Sequence, residues 1–179
     1  MLLPPPVESL WHDLQEVRAE ILKEIEGLSQ GQADWRPSEG DWSVGEIIHH
    51  LTLAEVSTGK LTSKLFKEAG ASLPSFPADL AAFAPLPAWP PGPAEAPPVV
   101  RPESGHRWDE LLTTFKSTRD RSRQSVERLA TGDPRRLTWS HGRLGELDLA
   151  QWWMLQAHHD RDHLGQLKAV KAAPGFPRA

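Results

Sequence analysis

The chain has no cysteine among its 179 residues. That excludes disulfides, thiolate-held metals, iron–sulfur clusters and a cysteine nucleophile, so a bound metal must take nitrogen or oxygen ligands. Tyrosine is missing as well, although tryptophan occurs eight times. No long block of one charge sign is present: 20 Lys and Arg stand against 24 Asp and Glu, a net charge of -4. A nucleic-acid footprint would need a basic stripe, so no nucleic-acid partner is expected. No stretch approaches the roughly 18 apolar residues of a membrane span. The opening Met1-Leu2-Leu3-Pro4-Pro5-Pro6 lacks the basic region and long apolar run of a signal peptide. The expectation is a cytoplasmic protein without a membrane partner, built as one domain over residues 1–179 with a substantial core.

Convincing strand patterns are also missing, and four helical patterns take their place. The first covers residues 7–28, where Leu10, Leu14, Val17, Ile21, Ile25 and Leu28 recur at spacings of three and four. Two glycines and Pro37 break it over residues 29–41. The second opens on Ser43 with Glu46 three residues on, a capping box in which each side chain satisfies a backbone N–H, and runs to about Lys67. Ten prolines between residues 70 and 102 then rule out a regular helix. Leu73, Phe76, Leu80, Phe83, Leu86 and Trp89 are scattered through this stretch. It reads as a long crossover draped over the body, with a disordered, partner-binding segment as the rival.

The third helical pattern extends from about Ser104 to Leu129 and has a weak apolar stripe. Its middle, Lys116-Ser117-Thr118-Arg119-Asp120-Arg121-Ser122-Arg123-Gln124-Ser125, reads as a solvated face. Residues 138–147 read as an ordered loop or short hairpin. Asp148 with Gln151 forms a second capping box, opening the fourth helix, which runs to about Lys171 before Pro174. Four helices with one long crossover between the second and third predict an all-α four-helix bundle, a fold whose core hosts metal sites built from facing helices.

The chemistry concentrates on histidines. His159 and His163 are four residues apart, on one face of a helix, and can converge on one ion. At roughly 100° per residue, the second helix places His50 at the edge of the face carrying Ile47, Leu51, Ala54, Leu61 and Leu65, and turns His49 away. The same projection of the fourth helix puts Trp152, Leu155, Gln156, His159, His163, Gln166, Leu167 and Val170 together and leaves His158 outside. Inward polar groups need partners, and a metal suits imidazoles. Three histidines leave a coordination position open, as in catalytic rather than closed structural sites. The candidate ligands are therefore His50, His159 and His163. Asp160, Asp162, Gln156 and Gln166 are all candidates to hold the ligands' second ring nitrogens. Trp42 and Trp152 are expected in the core or pocket wall. No general base is evident from the pattern; His141, in the loop before the fourth helix, and Glu46 are the only candidates.

The run Trp42-Ser43-Val44-Gly45-Glu46-Ile47-Ile48-His49-His50-Leu51 resembles the helix-two signature of the DinB-like superfamily of small bacterial proteins. The run His159-Asp160-Arg161-Asp162-His163-Leu164-Gly165-Gln166-Leu167 resembles its helix-four signature. The resemblance implies an up-down-down-up bundle in which one histidine of helix two and the spaced pair of helix four bind a divalent metal, often nickel or zinc. Carried onto this chain, those are His50, His159 and His163. It further implies membership of a group that includes S-transferases using bacillithiol or mycothiol and a thiol-dependent isomerase. Asp162 stands where the family motif often has histidine, and the crossover looks longer than the family minimum. The leading expectation is thus a metal-dependent S-transferase joining a small thiol to an electrophile. A metal-dependent hydrolase and a non-enzymatic, stress-associated metal-binding module are the alternatives. A homodimer is expected on grounds of exposed apolar surface.

Overall fold

Prolines at the first helical positions fix φ and lack an N–H that would have no intrahelical acceptor, so Pro5 and Pro6 open α1 (Pro5–Glu24) without cost. The computed structural model describes residues 2–92 and 95–178. Val7, Leu10, Leu14, Val17 and Ile21 form the buried stripe of α1 as the spacing predicts, but the helix stops at Glu24 rather than Leu28. The expected break contains a short helix, α2 (Gln30–Asp34), started by a capping box of Ser29 and Gln32.

The two predicted capping boxes are both formed. The Glu46 N–H donates to Ser43 Oγ at 3.2 Å and the Ser43 N–H to Glu46 Oε2 at 2.8 Å, opening α3 (Val44–Ala69). Asp148 and Gln151 do the same for α5 (Leu149–Ala172). The third long helix, α4 (Trp108–Arg128), starts four residues later than predicted. Before α5 the chain forms an antiparallel hairpin, β1 (Thr138–His141) with β2 (Gly145–Asp148), in register Thr138 to Asp148 and His141 to Gly145. Gly145 takes φ of 75°, the left-handed conformation that closes a three-residue hairpin loop and that glycine reaches without strain. The helices α1, α3, α4 and α5 make a four-helix bundle, with the long connection lying between α3 and α4. No helix among the described residues is long and apolar enough to cross a membrane.

The bundle has two apolar centres rather than one continuous stripe. One gathers Val17, Ile21, Ile47, Leu51, Phe115, Leu164 and Leu167. The other gathers Leu10, Leu14, Leu65, Val126, Leu129, Leu149 and Trp153. Near the junction of the two sets each long helix buries a charged residue: Arg18 on α1, Glu55 on α3, Arg119 on α4 and Asp160 on α5. Arg18 Nη2 donates to Glu55 Oε2 at 2.5 Å and to Asp160 Oδ2 at 3.3 Å. Arg119 donates from Nε to Glu55 Oε1 at 2.7 Å and from Nη2 to Asp160 Oδ2 at 2.9 Å. Backbone carbonyls of Phe115 and Leu14 take one further guanidinium N–H from each arginine. Two positive and two negative charges cancel, which is the condition for keeping ions out of water at all.

This layer corrects the reading of residues 116–125 as a solvated face. Thr118, Arg119 and Ser122 are buried, and the polarity of mid-α4 serves the bundle interior. It also explains why the stripes of α3 and α4 fade at mid-helix, where Glu55, Thr58, Thr62, Arg119 and Ser122 replace aliphatic side chains.

The crossover is ordered against the bundle. Leu73, Phe76 and Phe83 pack on the second apolar centre. The Asp133 N–H donates to the Pro74 carbonyl at 2.8 Å, and Gln151 Nε2 donates to the Pro85 carbonyl at 2.9 Å. Arg143 Nη2 donates to the carbonyls of Pro90, Pro91 and Gly92. A proline-rich segment gives up few N–H groups of its own, so it is tied down through its carbonyls by donors from the bundle and hairpin.

Candidate metal centre

His50 projects from α3, and His159 and His163 from successive turns of α5. One ring nitrogen from each lies within 4.8 Å of the others. His159 Nε2 is 2.9 Å from His50 Nε2 and 3.1 Å from His163 Nε2. Nitrogens about 2.0–2.1 Å from a shared ion stand roughly 3 Å apart, so these spacings suit a common metal.

The hydrogen bonds behind the rings decide what the Nε2 atoms carry. His50 Nδ1 is 2.6 Å from the carbonyl oxygen of Val100, which only accepts, so Nδ1 holds the proton and Nε2 a lone pair. His163 Nδ1 is 2.7 Å from Gln166 Oε1, with the same consequence. Two lone pairs thus aim at His159 Nε2, whose single N–H could satisfy only one of them. A cation would satisfy all three rings. The donor set fits a divalent metal, and backing imidazoles with carbonyl groups is the usual way of fixing a ligand's tautomer.

Burial pushes the His50 pKa down to about 4. Burial, then repulsion from the His163 and His50 rings, pushes His159 to about 2. Burial lowers His163 also. All three rings are therefore neutral at pH 7, the form that binds metal. Trp42 flanks them, its ring centroid 4.8 Å from that of His50 and stacked at 6.1 Å on His163. The cluster opens on a cavity of about 760 Å³ whose wall includes Trp42, Trp89, Val100, His141, Trp152 and Gln156.

The remaining sequence candidates sort clearly. His49 turns away and accepts the Glu103 N–H at Nδ1. His158 is exposed and lies 3.3 Å from Asp162. Gln166 is the residue that holds His163, whereas Asp160 belongs to the buried charge layer and accepts from Gln156 Nε2 at 2.8 Å. Glu46 is no general base: it caps α3 and pairs with Arg36. His141 does line the cavity, but its Nδ1 accepts the backbone N–H groups of Arg143 at 3.2 Å and Leu144 at 3.1 Å. Burial and the neighbouring Arg143 lower its pKa. A neutral ring whose Nδ1 accepts must carry its proton on Nε2, so His141 is a donor to the cavity and not a base. The Val100 carbonyl behind His50 had no signal in the sequence, because a backbone oxygen is the same in every residue.

The profile of the DinB superfamily matches residues 13–167. The chain belongs to the DinB superfamily. Among curated relatives of this DinB chain is YuaE of Bacillus subtilis (strain 168), an uncharacterized protein, 26% identical over 158 residues that cover 87% of this chain and 93% of YuaE. Among solved structures, the four-helix bundle protein TT2238 superposes with a TM-score of 0.63 at 19% identity, over 91% of this chain and 98% of its own. YfiT from Bacillus subtilis, described as a probable metal-dependent hydrolase with an unusual four-helix bundle topology, gives a TM-score of 0.62 at 15% identity, over 99% of this chain and 92% of its own. At these identities the two structures speak for the fold.

Proposed function

We propose that this DinB superfamily chain is a metal-dependent hydrolase of small molecules, with His50, His159 and His163 as the ligands of one zinc or nickel ion. The observation that carries the reading is the convergence of three imidazole Nε2 atoms, two with their lone pairs fixed by carbonyl partners, beside a cavity of about 760 Å³. The fold shared with YfiT, itself described as a probable metal-dependent hydrolase, supports it. A divalent ion so held supplies Lewis-acid chemistry, acidifying water and polarising a carbonyl oxygen.

The chain's own residues do the rest. Val100 and Gln166 hold the ligand rings in one tautomer. Trp42, Trp89 and Trp152 give the cavity apolar walls that exclude water and take the body of a substrate. Gln156, pinned through Nε2 to Asp160, keeps Oε1 as its free acceptor on the cavity wall. We read residues 1–179 as one domain with the up-down-down-up helix order of the superfamily, paired as a homodimer. A thiol such as bacillithiol or mycothiol in place of water is the competing form of the chemistry, since it needs the same ligands.

The test is turnover by the zinc- and nickel-loaded protein of a panel of esters, amides and lactams, run beside bacillithiol, mycothiol and glutathione with a generic electrophile. Thiol-independent hydrolysis abolished by chelation and by His159→Ala is expected. Turnover only in the presence of a thiol overturns hydrolysis in favour of S-transfer, and metal content unchanged in His159→Ala overturns the ligand assignment.

A further inference from the structure

The cavity wall that carries the histidine cluster also includes the end of β1, where His141 stands between two indoles, its ring centroid 5.8 Å from that of Trp89 and 5.4 Å from that of Trp152. The hairpin turn controls this ring. Two backbone N–H groups, of Arg143 and Leu144, converge on Nδ1. Each is a donor, so Nδ1 must present its lone pair, and the proton is confined to Nε2. Among the described residues no protein acceptor takes up that N–H. The rest of the wall combines apolar Trp42, Leu155 and Val100 with neutral polar Ser57, Thr58 and Gln156, and its ionic groups are mostly acidic, Asp41, Glu95 and Asp162 against one Arg143. Arg143 spends its Nη2 on crossover carbonyls. An anion would gain little from such a lining, and a neutral acceptor oxygen on an apolar body would gain most.

We propose that His141 is the hydrogen-bond donor that binds the carbonyl oxygen of a neutral acyl compound (an ester, amide or lactam with an apolar body) in the cavity shared with the histidine cluster. The substrate class rests on the hydrolase reading; the donor and its tautomer do not. His141 selects the ligand by its acceptor oxygen, and the turn of the hairpin, by fixing the tautomer, is what makes the selection. A ligand without that oxygen leaves the N–H unmatched, the circumstance in which a polar site discriminates best.

Two measurements on the full-length, metal-free protein test this. Long-range ¹H–¹⁵N correlation, with His141 assigned by its absence from His141→Phe, should show Nε2 protonated and Nδ1 unprotonated at pH 7.5; the reverse tautomer overturns the proposal. Benzamide and toluene are then titrated while the indole N–H signals are followed. His141→Phe should weaken benzamide roughly three- to tenfold, the worth of one neutral hydrogen bond, and leave toluene within about twofold. His141→Gln, which restores an N–H, should recover most of the benzamide affinity. No benzamide binding to the wild-type protein, equal losses for both probes, or no loss for benzamide overturns it. Neither measurement involves metal or turnover. A protein that binds no metal but passes both would lose the hydrolase reading alone, and one that hydrolyses esters but fails here would lose this inference alone.

Discussion

Replacing Glu55 with Gln should be among the most damaging single changes available in this chain, although it alters one atom. Glu55 is fully buried and accepts from both Arg18 and Arg119. The amide would keep the shape but leave two guanidinium ions facing one carboxylate, and its NH₂ would point a donor at donors. Breaking a buried ion network by neutralising one member costs about 3–5 kcal/mol. For a chain of this size each kcal/mol moves the midpoint by about 2–4 °C, so a fall in Tm of roughly 6–20 °C is expected. Urea unfolding followed by circular dichroism measures the loss directly. Glu68→Gln, which breaks an exposed pair with Lys64, serves as control and should cost less than about 0.5 kcal/mol. Adding Arg119→Gln to Glu55→Gln restores neutrality, so the double variant should lose clearly less than the sum of the single ones. A Glu55→Gln loss below about 1 kcal/mol, or strict additivity in the double variant, would refute the account of the charge layer.

Elemental analysis should find metal lost from His50→Ala and His159→Ala but retained in His49→Ala and His158→Ala; the opposite pattern removes the proposed ligand set. Gln166→Leu frees the His163 tautomer and should weaken metal affinity about 10–100-fold by competition titration with a chelating dye, and an unchanged affinity would mean that Gln166 does not orient the ring. The pKa values of His50 and His159 lie below their ordinary value of 6.5, at about 4 and about 2, so the unfolded chain binds more protons as pH falls. Stability of the metal-free protein should therefore be complete above about pH 6.5 and decline as pH falls through 4 toward 2. The decline should be smaller in His159→Leu, and equal declines in the two proteins would count against the assignment. The crossover, packed on its own bundle, should resist limited proteolysis in the metal-loaded protein, whereas rapid cleavage within residues 70–103 would contradict its placement.

The four long helices were legible, and two of their starts to the residue, because local chemistry specifies them: Ser43 with Glu46 and Asp148 with Gln151 announce their helices within four residues. The start of α4, which lacks such a cap, lies four residues beyond the one its pattern gives. The clustering of the three histidines was legible because His159 and His163 stand one turn apart and His50 sits at the edge of an apolar face. What escaped was polarity that acts at a distance. Arg119 reads as a solvent-facing charge in its own helix, and only the meeting of four helices shows why it, Arg18, Glu55 and Asp160 face inward. The roles first considered for His141 and Asp160 failed for the same reason, since a tautomer or an ion pair is set by partners remote in sequence. Residues 138–147 read as loop or hairpin because four-residue strands carry too few alternations to declare themselves.

The carbonyl behind His50 belongs to Val100, which lies in the crossover and not on a bundle helix. With a metal bound as proposed, that single hydrogen bond would make the crossover a participant in ion affinity. Whatever lifts residues 98–100 away releases the His50 tautomer and weakens the site, and by thermodynamic reciprocity an ion at the site holds the crossover down. The segment and a bound ion would thus act on each other as two ligands of one protein do. Stripping the metal should speed amide exchange of the few N–H groups that residues 95–103 possess, while that in α1 stays unchanged. A change in the crossover's own sequence, far from any histidine, becomes a means of tuning how tightly the metal is kept.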